Sequence, residues 1–357
     1  MVRKDTVSVI GAMEQRRDIN GLLKALNNTK DPDVRHRTID ALGRLRSAEA
    51  ADAILEILKK DKDETARERA IFALGCLKDK RASKSIMEIL KNSKEPENVR
   101  WASAEAIIYY EDFRAVEPLL DALEYGRGKV LIGVILSLGR LKDRRALGPL
   151  VTLFEKELTK SFNFDEDWLV LINTAIAFQN FDDPRTIKPL SKALKFDRSS
   201  FPNCGGRCGD LQREALNALG KINDKRAFDV IVDTLESGSC ALKLNCVNVL
   251  KSIENRKVLA PLYRALQTNR NNKTLVEALQ NAISEVERYA GETCYFCGED
   301  CEIREIRMID KPTDRRICQD CWNDIKHEQG NPDMRMVIEV GWGDEDRNAG
   351  ALKERQK

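Results

Sequence analysis

The feature that most constrains this chain is an internal repeat. Asp40-Ala41-Leu42-Gly43-Arg44-Leu45, Phe72-Ala73-Leu74-Gly75-Cys76-Leu77, Leu136-Ser137-Leu138-Gly139-Arg140-Leu141 and Asn217-Ala218-Leu219-Gly220-Lys221-Ile222 align with one another. Weaker copies run through Ile108, Gln179 and Lys251 at the glycine position. Taken in order, positions 43, 75, 108, 139, 179, 220 and 251 are separated by 32, 33, 31, 40, 41 and 31 residues. A period in this range means that one supersecondary unit recurs and stacks on itself. Ala, Leu, Lys, Arg and Glu dominate, and only 6% of residues are aromatic, a mix that favours helices. Each copy reads as an apolar-periodic helix closing near the glycine, then a short basic turn, then a second amphipathic helix. The glycine is expected to take the left-handed conformation of a helix C-cap. Neither helix can bury its apolar stripe alone, so the pairs must stack into an α-solenoid.

These residues resemble the short HEAT-like repeat of the phycobilisome-lyase type. Arg35, Arg67 and Arg100, with Lys243 later, match its cation near the start of the first helix. Asp79-Lys80-Arg81-Ala82, Asp143-Arg144-Arg145-Ala146 and Asp224-Lys225-Arg226-Ala227 match its Asp-x-Arg-Ala turn. The resemblance implies an all-α fold: a right-handed solenoid of about seven HEAT-like helix pairs plus caps, over residues 1–291. Residues 5–27 read as a degenerate first pair, and 272–289 as a lone closing helix. Two junctions, 155–166 and 195–209, are longer than the rest, and such inserts lie on one edge of a solenoid.

A second kind of chemistry begins past residue 291. Cys294-Tyr295-Phe296-Cys297 and Cys318-Gln319-Asp320-Cys321 form two C-x2-C pairs 20 residues apart. Four thiolates in two close pairs suit tetrahedral Zn²⁺. The segment is similar to the small zinc-binding domain at the head of the ClpX unfoldase. That resemblance implies a treble-clef module over 292–330, with a knuckle, a hairpin (Ile303 to Ile306 and the strand before Cys318) and a helix starting at Cys318. It also implies a dimer or partner contact, so a homodimer through the module is one expectation. Cys301 reads as a bystander rather than a ligand. Residues 331–357 read as a tail, with a short strand at 334–340 and then a disordered end. That strand pairs with the zinc hairpin or adds to a partner.

Cys204 and Cys208 lie in the longer insert, and Cys240 and Cys246 at the start of the next repeat's first helix. Two readings stand. They form a second metal or thiol site, or they are small buried hydrophobes beside a glycine-rich loop. Ten cysteines without an apolar secretion signal point to a reducing, cytoplasmic compartment. No run of about 18 apolar residues is present, which argues against a membrane span.

Charge and motif content limit the function. Lys and Arg total 60 against 58 Asp and Glu, so no global field draws the chain to nucleic acid. The C-terminal part from Cys294 carries 11 basic and 15 acidic residues, opposite in sign to a typical basic zinc module. The basic turns (Arg44, Lys78, Arg81, Lys142, Arg145, Lys221 and Arg226 among them) form either a phosphate track or a row of solvated helix ends. Trp101, Tyr109, Tyr110 and Trp168 could form an aromatic patch, but their helical periodicity places them in the core. No phosphate-binding loop or serine-nucleophile elbow occurs. Among HEAT-like enzymes, deoxyhypusine hydroxylase binds iron through repeated His-Glu pairs; here that pair occurs once, at His327-Glu328, outside the repeats. The reading that follows is a non-enzymatic protein–protein interaction scaffold with a structural zinc module. The alternatives are a HEAT-like lyase or oxidoreductase working at the Cys204-Cys208 insert, and a nucleic-acid binder using the basic turns.

Overall fold

The computed structural model describes residues 2–110, 112–160, 165–196, 206–253, 255–289, 303–308, 311–318 and 338–340. The helices fall into pairs. They are α1 (Val2–Gln15) with α2 (Ile19–Asn28), α3 (Pro32–Arg44) with α4 (Ala51–Lys60), and α5 (Glu64–Leu77) with α6 (Lys80–Lys91). There follow α7 (Glu97–Ala106) with α8 (Val116–Tyr125), α9 (Gly128–Leu141) with α10 (Arg144–Leu158), and α11 (Asp165–Phe178) with α12 (Ile187–Ala193). There remain α13 (Arg207–Lys221), then α14 (Lys225–Ser237), α15 (Cys240–Ser252) with α16 (Leu259–Thr268), and a closing α17 (Lys273–Tyr289). The chain divides into two compact units, Met1–Asn223 and Asp224–Lys357, so the division falls in the turn between α13 and α14.

In the first unit the first helices of successive pairs pack side by side, α1 on α3 and so on to α11 on α13. Second helices line up behind them, α6 on α8, α8 on α10 and α10 on α12. Two layers of this kind are those of an α-solenoid. The core runs continuously between the layers. Leu42, Ile54, Leu74, Ile86, Leu119, Leu138, Phe154 and Phe178 are fully buried there. Phe154 and Phe178 meet edge to face at 5.4 Å. In the second unit α15 packs on α14 and α17, and α16 on α17.

The repeat glycines do not cap their helices. Gly43, Gly75 and Gly139 lie inside α3, α5 and α9, and the left-handed residues come three positions later. These are Arg46, Lys78 and Lys142, with φ of 52°, 52° and 54°. The glycines serve close approach instead. A Cβ on Gly43 would lie 2.8 Å from the Cα of Ala73, and one on Gly139 would lie 2.7 Å from the Cβ of Ala177. Gly and Ala of the shared motif thus face each other across neighbouring first helices. Ser137 tightens the α7–α9 seam by donating to the Ala104 carbonyl at 2.6 Å.

Three strands follow the helices. β1 (Ile303–Met308) and β2 (Lys311–Cys318) form an antiparallel hairpin, and β3 (Ile338–Val340) pairs antiparallel with the other edge of β1. The register sets Ile303 opposite Cys318.

Candidate functional site

The free side of the first-helix layer carries the most varied chemistry. On α5 and α7, Phe72 and Trp101 are half-buried and meet edge to face at 5.7 Å. The Lys129 ammonium of α9 sits 5.5 Å above the Trp101 ring and hydrogen-bonds Asn98. Gly133 lets α9 come this near, because a Cβ there would lie 3.3 Å from Trp101 Cδ1. Burial raises the Glu105 carboxyl above its ordinary range, against the opposing pull of the Trp101 indole and Arg140. Aromatic faces, a cation and a carboxyl raised by burial therefore sit together across three consecutive repeats.

Charged pairs extend this face. Arg44 of α3 clamps Glu14 of α1 with two bonds at 2.6 and 2.8 Å, and Arg69 of α5 pairs with Asp40 of α3. Burial raises Asp40 even though Arg69, Arg44 and His36 oppose it. Gln179, just past the end of α11, donates to Glu214 of α13 at 2.9 Å. The aromatic expectation is corrected in part. Tyr110 and Trp168 are core residues, as periodicity implied, but Trp101 is half-exposed and Tyr109 is 40% exposed. A period of 3.6 marks one face and cannot say how wide the covering neighbour is.

The basic turns are largely self-neutralised. Asp79, Asp143 and Asp224 each cap a second helix and accept from the guanidinium two residues on, Arg81, Arg145 and Arg226. The same device occurs at Asp112 with Arg114 and Asp183 with Arg185. Arg81 also reaches Asp52 at 2.6 Å, and Arg145 reaches Glu117 at 2.9 Å.

The cations near the start of the first helices are structural staples. Arg67 donates to the Leu58 carbonyl at the end of α4 and clamps Glu95 at 2.7 and 3.0 Å. Arg100 donates to the Leu90 carbonyl at the end of α6, and Lys243 to Asn269. Arg35 pairs with Asp61. A cation at a helix C-terminus meets both orphan carbonyls and the negative end of the dipole.

Of the cysteines, Cys204, Cys294, Cys297, Cys301 and Cys321 lie outside the described residues. Cys318 is the last residue of β2. Cys208 sits buried in the first turn of α13 rather than in the insert. In the second unit Cys240 is exposed at the first residue of α15, where Asn272 Nδ2 lies 2.9 Å from its sulfur. Cys246 is buried in mid-helix, and burial pushes its thiol up to about 12. Among the described residues, no group of three or more His, Cys, Asp or Glu could hold a metal ion. No described helix is long and apolar enough to cross a membrane.

The HEAT repeats profile matches residues 2–75 and 19–108, and that of the PBS lyase HEAT-like repeat matches residues 211–237. No curated protein matches the sequence. Among solved structures, human deoxyhypusine hydroxylase in complex with glycerol is 18% identical, over 78% of this chain and 99% of that one, with a TM-score of 0.34. The complex of CpcE and CpcF of phycocyanin lyase from Nostoc sp. PCC7120 is 16% identical, over 74% and 93%, with a TM-score of 0.35. An engineered protein is 19% identical, over 76% and 98%, with a TM-score of 0.27. Likeness this loose transfers no activity from any of the three. Residues 2–108 are thus similar to HEAT repeats and 211–237 to the PBS lyase HEAT-like repeat, and the helix pairs of the first unit stack as an α-solenoid.

Proposed function

We propose that this protein is a non-enzymatic protein–protein interaction scaffold whose partner lies along the first-helix layer. The observation that carries the reading is the cluster of Phe72, Trp101, Glu105 and Lys129 on adjacent first helices. Half-exposed aromatics with polar neighbours are the composition of an interface centre. The pairing of Arg81, Arg145 and Arg226 with their own turn aspartates weakens the field that a phosphate track needs.

The zinc module belongs to the same proposal. The β1–β2 register supports it, because Ile303 stands opposite Cys318. Cys318, one of the four cysteines of the two C-x2-C pairs, thus stands at the strand end opposite the start of β1. A set of four cysteine thiolates fits Zn²⁺ and leaves no open coordination position, so its role is to fold the module.

The test is co-purification with the full chain. Wild type should retain a defined partner, and Trp101→Ala with Phe72→Ser should lose it at unchanged helical circular dichroism. Retention of the same partner by the double variant sinks the assignment of the face. Binding of random oligonucleotides with a steep salt dependence would favour the nucleic-acid reading instead.

A further inference from the structure

The turns that join first to second helices form one edge of the first unit, and its cations fall into two sets. Arg81, Arg114 and Arg145 are held by the aspartate two residues before them. Lys78, Lys80, Lys142 and Arg144 are exposed, and their side chains make no hydrogen bond or ion pair among the described residues. Residues 76–81, 108–114 and 140–145 together carry eight Lys and Arg against four Asp and Glu. Lys78 and Lys142 also hold φ of 52° and 54°, a conformation that glycine takes at lower cost. Among the described residues, the other non-glycine positions of positive φ are Arg17 and Arg46, in the first two turns of the same edge.

The turn between α7 and α8 interrupts this row with aromatic rings. Tyr109 and Phe113 are 40% and 60% exposed. In the repeat alignment they stand where the next repeat carries Arg140 and Arg144. Tyr109 reaches over α5, since a Cβ on Gly75 would lie 2.9 Å from its Cδ2. Because α5 packs on α7 and α7 on α9, the outer two of these three turns stand about 16–20 Å apart. An extended chain covers that span with about five or six residues. The edge therefore reads cation, aromatic, cation on the scale of one short segment.

We propose that this edge docks an acidic segment of a partner protein, extended, with one large apolar side chain between two groups of Asp or Glu. The apolar side chain packs on Tyr109 and Phe113. The acids meet Lys78 and Lys80 on one side, and Lys142 and Arg144 on the other. Charge complementarity selects this occupant over a nucleic-acid strand, which carries a charge about every 3.4 Å. The middle turn would face such a strand with Arg114 already held by Asp112, and its sequence adds Glu111, outside the described residues. The planar forks suited to bidentate phosphate contact, Arg81 and Arg145, already hold carboxylates. The proposal rests on the interaction reading and adds a contact beside the Trp101 cluster, on different residues, so the two can fail separately.

The test is fluorescence anisotropy on the full chain with a labelled Gly-Asp-Glu-Ser-Leu-Ser-Glu-Asp-Gly peptide. One control carries Asn and Gln in place of the acids, and a second carries Gly in place of the leucine. The acidic peptide should bind at least about fivefold more tightly than the amide control, the scale of a few exposed ion pairs, and salt should shrink the difference. Lys78→Gly with Lys142→Gly removes two cations where glycine suits the backbone, so helicity should hold while affinity falls about fivefold. Phe113→Ser, at an exposed position, should narrow the gap between the leucine and glycine peptides. Equal binding of the acidic and amide peptides, no binding at millimolar concentration, or indifference to both sets of substitutions overturns the proposal. A random oligonucleotide that binds more tightly than the peptide, and weakens in the same glycine variant, also overturns it and makes the edge a nucleic-acid track. Partner retention through Trp101 alongside any of these failures leaves the scaffold reading standing, and peptide binding without that retention leaves the edge standing alone.

Discussion

At the residue scale, Gly43 and Gly139 work by what they lack. Their Cβ positions are already taken by Ala73 and Ala177, at 2.8 and 2.7 Å. An alanine there must push a whole helix away, and overpacking of this kind costs about 1–3 kcal/mol. That exceeds the ~1 kcal/mol that alanine gains over glycine in helix propensity. Gly139→Ala should therefore lower the urea midpoint. Gly11 in α1 faces open space, and a Cβ there would meet nothing within 4 Å. Gly11→Ala should raise stability by up to ~1 kcal/mol. A shift of both variants in the same direction contradicts the close-approach role. The motif was legible in the sequence, but its reason was not. Glycine recurs both where φ is positive and where backbones nearly touch, and sequence alone does not separate the two. The actual left-handed positions, Lys78 and Lys142, carry ordinary side chains and gave no signal.

At the scale of the element, the inter-helix turn is the most regularly repeated device in the chain. Asp79, Asp112, Asp143, Asp183 and Asp224 each accept the backbone amide two residues on. In all five the guanidinium two residues on holds the carboxyl below its ordinary range, the amide adding to it. Because the folded pKa lies below the unfolded value of about 3.9, the contribution is complete above roughly pH 4. It is lost as pH falls through the folded values. Asp40 and Glu105 act in the opposite sense, since burial raises them and their protonation relieves the folded state. Asp183→Ala should cost about 1 kcal/mol at neutral pH through the lost cap. Asp183→Asn keeps a capping oxygen, so it should cost less and flatten the acid limb between about pH 4 and pH 2. Urea midpoints measured across that range decide it; an unchanged acid slope in the asparagine variant shows that Arg185 adds nothing. The Asp-x-Arg pattern was readable as a turn. The pairing of each arginine with its own aspartate was not, because a list of basic residues conceals which acid stands two positions away.

At the scale of the molecule, the helical array and the cysteine segment rest on different physics. Each helix pair is held by burial against its neighbours, as at Phe154 and Phe178, and by staples such as Arg67 to Glu95. Stability of that kind adds repeat by repeat and needs no metal. The proposed zinc module, in contrast, has too few residues to bury a core, and its folding free energy is the metal's binding free energy. Protein purified without chelator should contain about one zinc per chain. Removing the metal with a strong chelator should leave the far-ultraviolet helical signal nearly whole and expose four thiols to a thiol reagent. Cys246 should stay unreactive in that experiment, since burial holds its thiol protonated. Wholesale loss of helicity on chelation would mean that the solenoid depends on the metal, against the packing described. A stoichiometry near two would shift weight to the insert, with Cys204 and Cys208 as the first residues to substitute. The spacing of Cys294, Cys297, Cys318 and Cys321 needs no structure to be seen, because metal coordination fixes ligand type and separation along the chain. The insert thiols have no such spacing rule, and only a metal count or their substitution can assign them a role.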